Sequence, residues 1–271
     1  MKSFLITLLF LLLPSWANDK CAIETQVHKV SPNEVILGVT LTPVEGWHTY
    51  WSNPGQAGLA LSIELEDAGV KVLAEDFPVP TRYEFSGIVT YGYSKAATFL
   101  YSLSGEIPEN LKGTATWLVC DDSSCLPADG VIDIAIGKRV EETTPEWVSK
   151  ARAVQPEEIE VTLNKTISFI EKQASYIFTA SEDLSGWTVY PYDNEFSEIG
   201  NGLKVEKVKA PTKSKTAQPD EATEDSEEVS EPVEKTITGP AHKITFKVIG
   251  DRPENPSFLL TNGEKAYKIS L

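Results

Sequence analysis

The stretch that decides the fold is Thr114-Ala-Thr-Trp-Leu-Val-Cys-Asp-Asp-Ser-Ser-Cys-Leu-Pro127, in which two cysteines flank a short polar segment. Residues 114–119 have the β-branched and aromatic composition of a strand. The Asp-Asp-Ser-Ser segment is typical of a turn, and another β-rich run extends over 131–136. The sequence therefore predicts Cys120 and Cys125 at or across a hairpin turn, within reach of a disulfide.

Short runs of β-branched and aromatic residues recur along the chain, separated by Gly, Pro, Asn or Asp. Several short strands at this spacing predict an antiparallel β-sandwich in the first half. A second β-rich set follows in the second half. The predicted strands are 34–41, 61–65, 70–73, 97–103, 114–119 and 131–136, then 158–163, 176–180, 187–190, 242–249, 257–260 and 266–271.

A predicted helix at 144–153 separates the two sets of strands. Thr144 is expected to cap it, Pro145 suits its first position and Pro156 stops it. The fold class is thus all-β, a β-sandwich followed by a second, smaller β-rich domain. The expected divisions are a signal peptide at 1–17, the first domain at 18–138, a linker with a short helix at 139–156, and the second domain at 157–271.

Residues 1–17 have the pattern of a secretory signal. Lys2 precedes an apolar run from Phe4 to Leu13, and Ser15-Trp16-Ala17 suits a signal peptidase. No later segment approaches the roughly 18 apolar residues of a membrane-spanning helix. We therefore expect a secreted chain without stable membrane insertion.

The charge balance argues against nucleic acid as a partner. The chain has 40 acidic and 24 basic residues, whereas binding to a phosphate backbone depends on clustered Lys and Arg. Much of the acidic excess lies between Asp220 and Glu234, where apolar residues are scarce. Such a segment cannot bury enough surface to offset its ordering entropy, so a disordered acidic insertion is predicted near 210–237.

Three roles are open to the hairpin cysteines, which usually pair outside the cytosol. A structural staple is one, although a loop this small gives little chain-entropy stabilisation. A redox pair is another, although the nearby Asp121, Asp122 and Asp129 would raise a thiol pKa. A metal site is disfavoured, because zinc takes four ligands and, with three cysteines and three scattered histidines, no second ligand pair completes a site. The residues alone leave staple and redox pair both open.

Two further stretches favour a functional site near this pair. Gly46–Gly58 concentrates aromatic residues and a histidine before a turn. Phe77–Tyr93 is predicted to be a long loop, with prolines near its start and aromatics around two glycines. Long loops in compact domains are often functional.

Four motifs, taken in order, carry a resemblance to a known family. They are Gly46-Trp-His-Thr-Tyr-Trp-Ser-Asn-Pro-Gly55, Phe77-Pro-Val-Pro-Thr-Arg82, Tyr91-Gly-Tyr93 and Trp117-Leu-Val-Cys120 with a second cysteine nearby. Over 23–136 the chain resembles the amino-terminal periplasmic domain of the DsbD and ScsB family of thiol:disulfide interchange proteins. The helix and β-rich region that follow look like the ScsB-type continuation.

The resemblance implies an immunoglobulin-like sandwich that carries one reversible cysteine pair and needs no cofactor. Cys125 would form the mixed disulfide with partners, and Cys120 would resolve it. The segment Glu84-Phe85-Ser86-Gly87 would form a cap loop, in which Phe85 shields the pair from stray oxidants. Tyr50 would pack near the pair.

The implied activity is protein-disulfide reduction in the periplasm. Electrons would come from a membrane-embedded DsbD-type conduit and pass to periplasmic thioredoxin-fold proteins. Because the sequence ends at Leu271, we expect the conduit to be a separate protein. Tyr83 departs from the pattern of the better-known enzyme, where an acidic residue precedes Glu-Phe.

The competing hypothesis is a secreted binding module of two β-sandwiches that presents the aromatics of 47–51 to a ligand, with a purely structural Cys120–Cys125 disulfide.

Overall fold

The computed structural model describes residues 19–140, 142–167, 173–193, 196–197, 203–208, 237–249 and 255–271. Within these ranges the chain consists of strands, connecting segments and one short helix, which confirms the all-β prediction. Two compact units divide it between Gln155 and Pro156. The predicted signal peptide, and the predicted acidic insertion apart from Ile237, lie outside the described residues.

The first unit is built from antiparallel strands and one helix. Its described elements are β1 (Cys21–Ser31), β2 (Glu34–Pro43), β3 (Thr49–Gly55), β4 (Ser62–Leu65), β5 (Val70–Asp76), β6 (Thr81–Phe85), β7 (Ile88–Tyr93), β8 (Ala97–Gly105), β9 (Asn110–Cys120), β10 (Cys125–Ala135) and α1 (Glu146–Arg152). Three sheets result, with the strand orders β1-β2-β8-β5, β10-β9-β4 and β3-β7-β6.

The predicted β9–β10 hairpin is present, but β10 begins at Cys125 rather than at the predicted residue 131. Pro127 and Gly130 favoured a longer turn in the sequence. Because β10 is at the edge of its sheet, Pro127 removes no interior hydrogen bond and is tolerated there. The strand therefore extends back to the second cysteine.

The core explains why β2 is apolar on both faces. Leu37, Val39 and Leu41 alternate along one face and are fully buried. On the other face, Ile36 packs with Leu100 of β8 and with Val148 and Ala151 of α1. The helix thus covers the outer side of this sheet. No helix among the described residues has the length and apolar character needed to cross a bilayer.

The helix is present, but its predicted cap is wrong. Pro145 occupies the N-cap position, with φ −61° and ψ 151°, and no side chain caps the helix. The Pro145 carbonyl instead accepts hydrogen bonds from the backbone N–H groups of Val148 and Ser149. Because a proline in extended geometry already stands at the helix entrance, the Thr144 hydroxyl lies one residue too early to cap.

The predicted loop at 77–93 is also wrong, because most of it is the β6–β7 hairpin. Residues 81–85 pair with 88–92, and Phe85 stands opposite Ile88. The connecting Ser86 and Gly87 have φ values of 51° and 80°. Positive φ at both central residues is the requirement of a type I′ turn, which matches the twist of the flanking strands. The segment is therefore a defined hairpin.

The start of the first unit is more ordered than the sequence suggests. Residues near a chain start are usually poorly ordered, but Cys21 is 1% exposed at the head of β1. Polar residues alternate with partly buried ones along β1, which hides its strand character in the sequence. Pairing with β2 from Cys21 opposite Pro43 fixes it in the sheet.

The second unit is a further pair of sheets over an aromatic core. Its described strands are β11 (Glu157–Glu158), β12 (Thr162–Ile167), β13 (Gln173–Thr179), β14 (Thr188–Pro191), β15 (Phe196–Ser197), β16 (Leu203–Lys204), β17 (Glu206–Val208), β18 (Ala241–Val248), β19 (Ser257–Thr261) and β20 (Ala266–Ser270). The sheets run β11-β20-β19-β14-β16 and β12-β13-β18-β15, with β17 also on β18. The strand predicted at 158–163 is thus two strands, since Glu157 and Glu158 pair with β20 and β12 pairs with β13.

Candidate functional site

Cys120 and Cys125 form a disulfide at the turn end of the β9–β10 hairpin. The strand register places the two residues opposite each other, as the sequence predicts. Cys120 is 1% exposed, whereas Cys125 is exposed to solvent. The two cysteines therefore differ in access, and Cys125 is the one that an incoming sulfur atom can reach.

The turn between the cysteines is held by Asp121. Its Oδ1 accepts hydrogen bonds from the backbone N–H groups of Ser123 and Ser124, at 2.8 and 2.7 Å, and from both hydroxyls. Its own N–H donates to the Ser124 carbonyl at 2.9 Å. These bonds, with the Ser123 backbone first, lower the pKa of Asp121 to about 2. The Asp121 carboxylate thus stabilises the turn through these hydrogen bonds and stays charged at neutral pH.

The residues before β3 lie against the buried cysteine. His48 donates its backbone N–H to the Cys120 carbonyl at 2.9 Å, and Cys120 donates to the His48 carbonyl at 3.0 Å. Alternation along the extended chain then directs Tyr50 to the same side as His48. The Gly46-Trp-His-Thr-Tyr-Trp motif therefore places two side chains beside the disulfide.

Tyr50 reaches from β3 to the disulfide. Its side chain is buried, its hydroxyl lies 4.0 Å from Cys125 Sγ, and the same hydroxyl lies 3.2 Å from His48 Nε2. Burial raises the pKa of Tyr50, so the phenol keeps its proton at neutral pH. A neutral phenol at this place is a hydrogen-bond donor for the sulfur.

Gly58 makes room for the Tyr50 ring. Its φ is 113°, and an added Cβ would overlap the ring. Gly58→Ala is therefore expected to lower the free energy of unfolding by about 1–3 kcal/mol, because of backbone strain, and to displace Tyr50 from Cys125. Urea unfolding measures the first effect. Gly137→Ala is the matched control, since Gly137 has no described atom within 4 Å of its Cβ position and no positive φ. Equal stability of the two variants would contradict the prediction.

The β6–β7 hairpin, Thr81–Tyr93, forms the opposite wall of the site. Its β7 strand pairs with β3, with Tyr50 opposite Gly92, and Gln56 and Val89 exchange two further hydrogen bonds. The Tyr83 ring stacks on the His48 ring, with centroids 5.2 Å apart and planes at 23°. The β7 strand of the hairpin is thus paired with β3, and Tyr83 of its β6 strand packs on the His48 ring.

A solvent-connected cavity of about 380 Å³ lies between this hairpin and the disulfide. We name it the disulfide cavity. Its wall includes several aromatic side chains, and its charged residues are all acidic. Glu84 is paired with Arg82 at 2.9 Å, while Phe85 and Ile88 at the hairpin tip are 55% and 47% exposed. Its lining includes Trp47, His48, Tyr50, Tyr83, Glu84, Phe85, Ile88, Cys120, Asp121, Asp122 and Cys125.

The structure brings most of the sequence-predicted site residues together. Cys120, Cys125, Tyr50, Glu84 and Phe85 all line the disulfide cavity. Gly87 does not line it and instead supplies a positive φ to the hairpin turn. Sequence reasoning assigned no site role to His48, although its position two residues before Tyr50 in a strand-like motif could have placed both on one face. Among the described residues, no group of three or more His, Cys, Asp or Glu side chains is arranged to hold a metal ion.

Comparison with known proteins gives a family match over the first unit. The family described as "Thiol:disulfide interchange protein DsbD, N-terminal" matches residues 19–134. The chain is similar in structure to the N-terminal periplasmic domain of ScsB from Proteus mirabilis, with 19% identity and a TM-score of 0.61 over 96% of this chain and 95% of that one. Comparison with curated protein sequences gives no match.

A second solved structure covers less than half of the chain. It is the Neisseria meningitidis DsbD N-terminal domain in the reduced form, with 17% identity and a TM-score of 0.35 over 46% of this chain and 90% of that one. The fold conclusion instead follows from the ScsB likeness, which extends through both units. The predicted immunoglobulin-like β-sandwich with a second β-rich domain is confirmed.

Proposed function

Residues 19–134 form a DsbD-type N-terminal domain of thiol:disulfide interchange proteins, and from this premise we propose that the chain is a periplasmic protein-disulfide reductase. The observation that carries the proposal is the asymmetric disulfide beside an aromatic cavity. Cys120 is buried and Cys125 is exposed, so the Cys125 sulfur is accessible to a partner and the Cys120 sulfur is not. A cysteine pair that served only as a staple would need no such access.

The proposed reaction is a two-step thiol exchange. The Cys125 thiolate attacks one sulfur of a partner disulfide, the partner S–S bond breaks, and the other partner sulfur leaves as a thiolate that takes a proton. Cys120 then loses its proton and attacks Cys125, which breaks the mixed disulfide and releases the second partner thiol. Two electrons and two protons pass to the partner, and the Cys120–Cys125 disulfide is formed again.

The electron source and acceptor belong to the same proposal. A membrane-embedded DsbD-type conduit reduces the pair, and periplasmic thioredoxin-fold proteins take the electrons. Support comes from the family match, since exchange domains work between other redox proteins. No cofactor is needed, because thiolate and disulfide are the only reacting groups.

The hairpin tip is proposed to cap the pair between partners. Phe85 and Glu84 line the same cavity as both cysteines, which supports a shielding role for Phe85 and a boundary role for Glu84. The Ser86-Gly87 turn allows the strands to project this tip over the cavity. Tyr50 closes the inner side, where its hydroxyl faces Cys125.

A redox titration tests the proposal against the staple hypothesis. In the folded chain, the Cys120–Cys125 pair is expected to equilibrate with glutathione buffers at roughly −200 mV, the range of disulfide-exchange proteins, whereas structural disulfides resist reduction down to roughly −300 mV. Mass spectrometry after acid quenching and alkylation measures the reduced fraction at each potential. A pair that stays oxidised until the chain unfolds would overturn the exchange function and favour the binding module with a structural disulfide.

A further inference from the structure

A chain of three polar groups leads from the aromatic motif to the exposed cysteine. His48 Nε2 lies 3.2 Å from the Tyr50 hydroxyl, and this hydroxyl lies 4.0 Å from Cys125 Sγ. The backbone of His48 is fixed by its two hydrogen bonds to Cys120. His48 is therefore connected to both cysteines. Its backbone is hydrogen-bonded to Cys120, and its imidazole reaches Cys125 through the Tyr50 hydroxyl.

The protons available to His48, Tyr50 and Cys125 determine which group donates in each contact. A disulfide sulfur or a thiolate has no proton to give, so Tyr50 must be the donor in its contact with Cys125. A phenol has one proton, so once that proton points at sulfur the phenol oxygen can only accept a bond from His48. The arrangement therefore requires a proton on His48 Nε2.

We propose that His48 is a positioning residue for thiol exchange, which holds the Tyr50 hydroxyl toward Cys125 and so favours the thiolate form of this cysteine. The inference rests on the proposed function, since it names how the same pair is activated. A hydrogen bond to the charged form lowers the pKa of an acid, and a thiolate accepts more strongly than a disulfide sulfur. The Tyr50 to Cys125 contact should therefore tighten after reduction.

Packing holds the imidazole in the required orientation. The Tyr83 ring stacks on one face of His48, and the Tyr50 ring meets it edge-on, with centroids 5.2 Å apart in both pairs. A residue in this position must be flat to keep both contacts. Phenylalanine would preserve the packing and remove the nitrogen, which makes it an informative substitution.

The charges around the cavity make such a donor necessary. Asp121 and Asp122 face His48 from the β9–β10 turn, and Glu84 lines the same cavity from β6. Carboxylates near a thiol disfavour its thiolate, and among the described residues no helix N-terminus lines this cavity to offset them. Burial lowers the pKa of His48 more than the two aspartates raise it, so the ring is neutral at neutral pH. A neutral ring still donates through Nε2.

The test measures the pKa of Cys125 in the reduced full-length chain. Iodoacetamide alkylation is followed across pH by mass spectrometry of the peptide that contains Cys125. His48→Phe is expected to raise the Cys125 pKa and to slow alkylation at neutral pH about tenfold, as loss of one hydrogen bond to a charged group implies. Tyr50→Phe should have the same effect, and the double variant should match either single variant, because His48 acts through Tyr50. His48→Gln retains an N–H donor and should recover most of the rate.

Controls separate this role from packing and from the proposed function. Tyr267→Phe removes a tyrosine hydroxyl that donates to Glu182 in the second unit, and it should leave the alkylation profile unchanged. If His48→Phe does not fold, Tyr50→Phe, which keeps the ring and removes the hydroxyl, supplies a second variant without a donor to Cys125. An unchanged Cys125 pKa in the donor-free variant, or additive effects of the two substitutions, would overturn the inference. Because alkylation needs no partner, failure of disulfide exchange and failure of the His48 role give different results.

Discussion

Cys125→Ser is expected to abolish reduction of a partner disulfide, down to the rate of a variant lacking both hairpin cysteines. The physical reason is that Cys125 is the exposed member of the pair, so no other sulfur at the site can begin the attack. The measurement is a single-turnover reaction of the reduced chain with oxidised thioredoxin as a thioredoxin-fold probe. The amount of reduced probe is read after acid quenching and alkylation.

Cys120→Ser is expected to give the complementary result, a trapped covalent complex. Cys125 can still attack the probe, but no thiolate remains to break the mixed disulfide, so a species that disappears on reduction accumulates. Cys21→Ser is the matched control. Cys21 is 1% exposed, and burial raises its pKa to about 11, so its loss should leave turnover unchanged.

The two cysteine variants also test the assignment of roles. If Cys120→Ser stops the reaction without a complex while Cys125→Ser forms one, the order of attack is reversed. If both single variants still reduce the probe at the normal rate, the pair is not the exchange centre. Either result would contradict the proposed mechanism, whereas loss of activity in Cys21→Ser alone would place the chemistry elsewhere.

The hairpin that carries the cysteines is predictable because its signals are local. A strand-like run, a polar turn and a second β-rich run lie within one stretch of sequence, and the paired cysteines follow from that register. The β6–β7 hairpin was missed, because its turn depends on a positive φ at Ser86, which a residue with a Cβ adopts only when the flanking strands impose it. β1 was missed because its burial depends on its partner strand.

The chemistry of the site depends on contacts between distant parts of the chain. The sequence alone placed His48 and Cys120 in separate motifs, and only the folded sheet brings their backbones into hydrogen-bond contact. The sequence also suggested that Asp121 raises the thiol pKa by proximity. Its Oδ1 also accepts hydrogen bonds from the turn, a use that no count of nearby carboxylates could predict. The sequence thus predicts which residues gather but not the path of hydrogen bonds between them.

Phe85→Ala is expected to change two rates in opposite directions. With the hairpin tip shortened, small oxidants should reach the reduced pair more easily, and oxidation by hydrogen peroxide should rise roughly fivefold. Reduction of oxidised thioredoxin should become slower, because Phe85 and Ile88 present an exposed apolar tip that a protein partner can bury. Truncation of an aromatic anchor costs binding free energy on the order of 1–2 kcal/mol, which raises the KM about tenfold.

Opposite changes in these two rates distinguish a capping role of Phe85 from a merely structural one. Loosening of the whole site would speed oxidation of the pair by hydrogen peroxide and leave the KM for the probe near normal. Loss of folding would impair both reactions and the thermal unfolding transition. Leu73→Ala is the matched control, since Leu73 is 63% exposed on β5 and does not line the disulfide cavity. It should change neither rate. Peroxide oxidation that is no faster in Phe85→Ala than in this control would mean that Phe85 does not shield the pair, and the protection of the cysteines would then have to come from Tyr50 and the walls of the cavity.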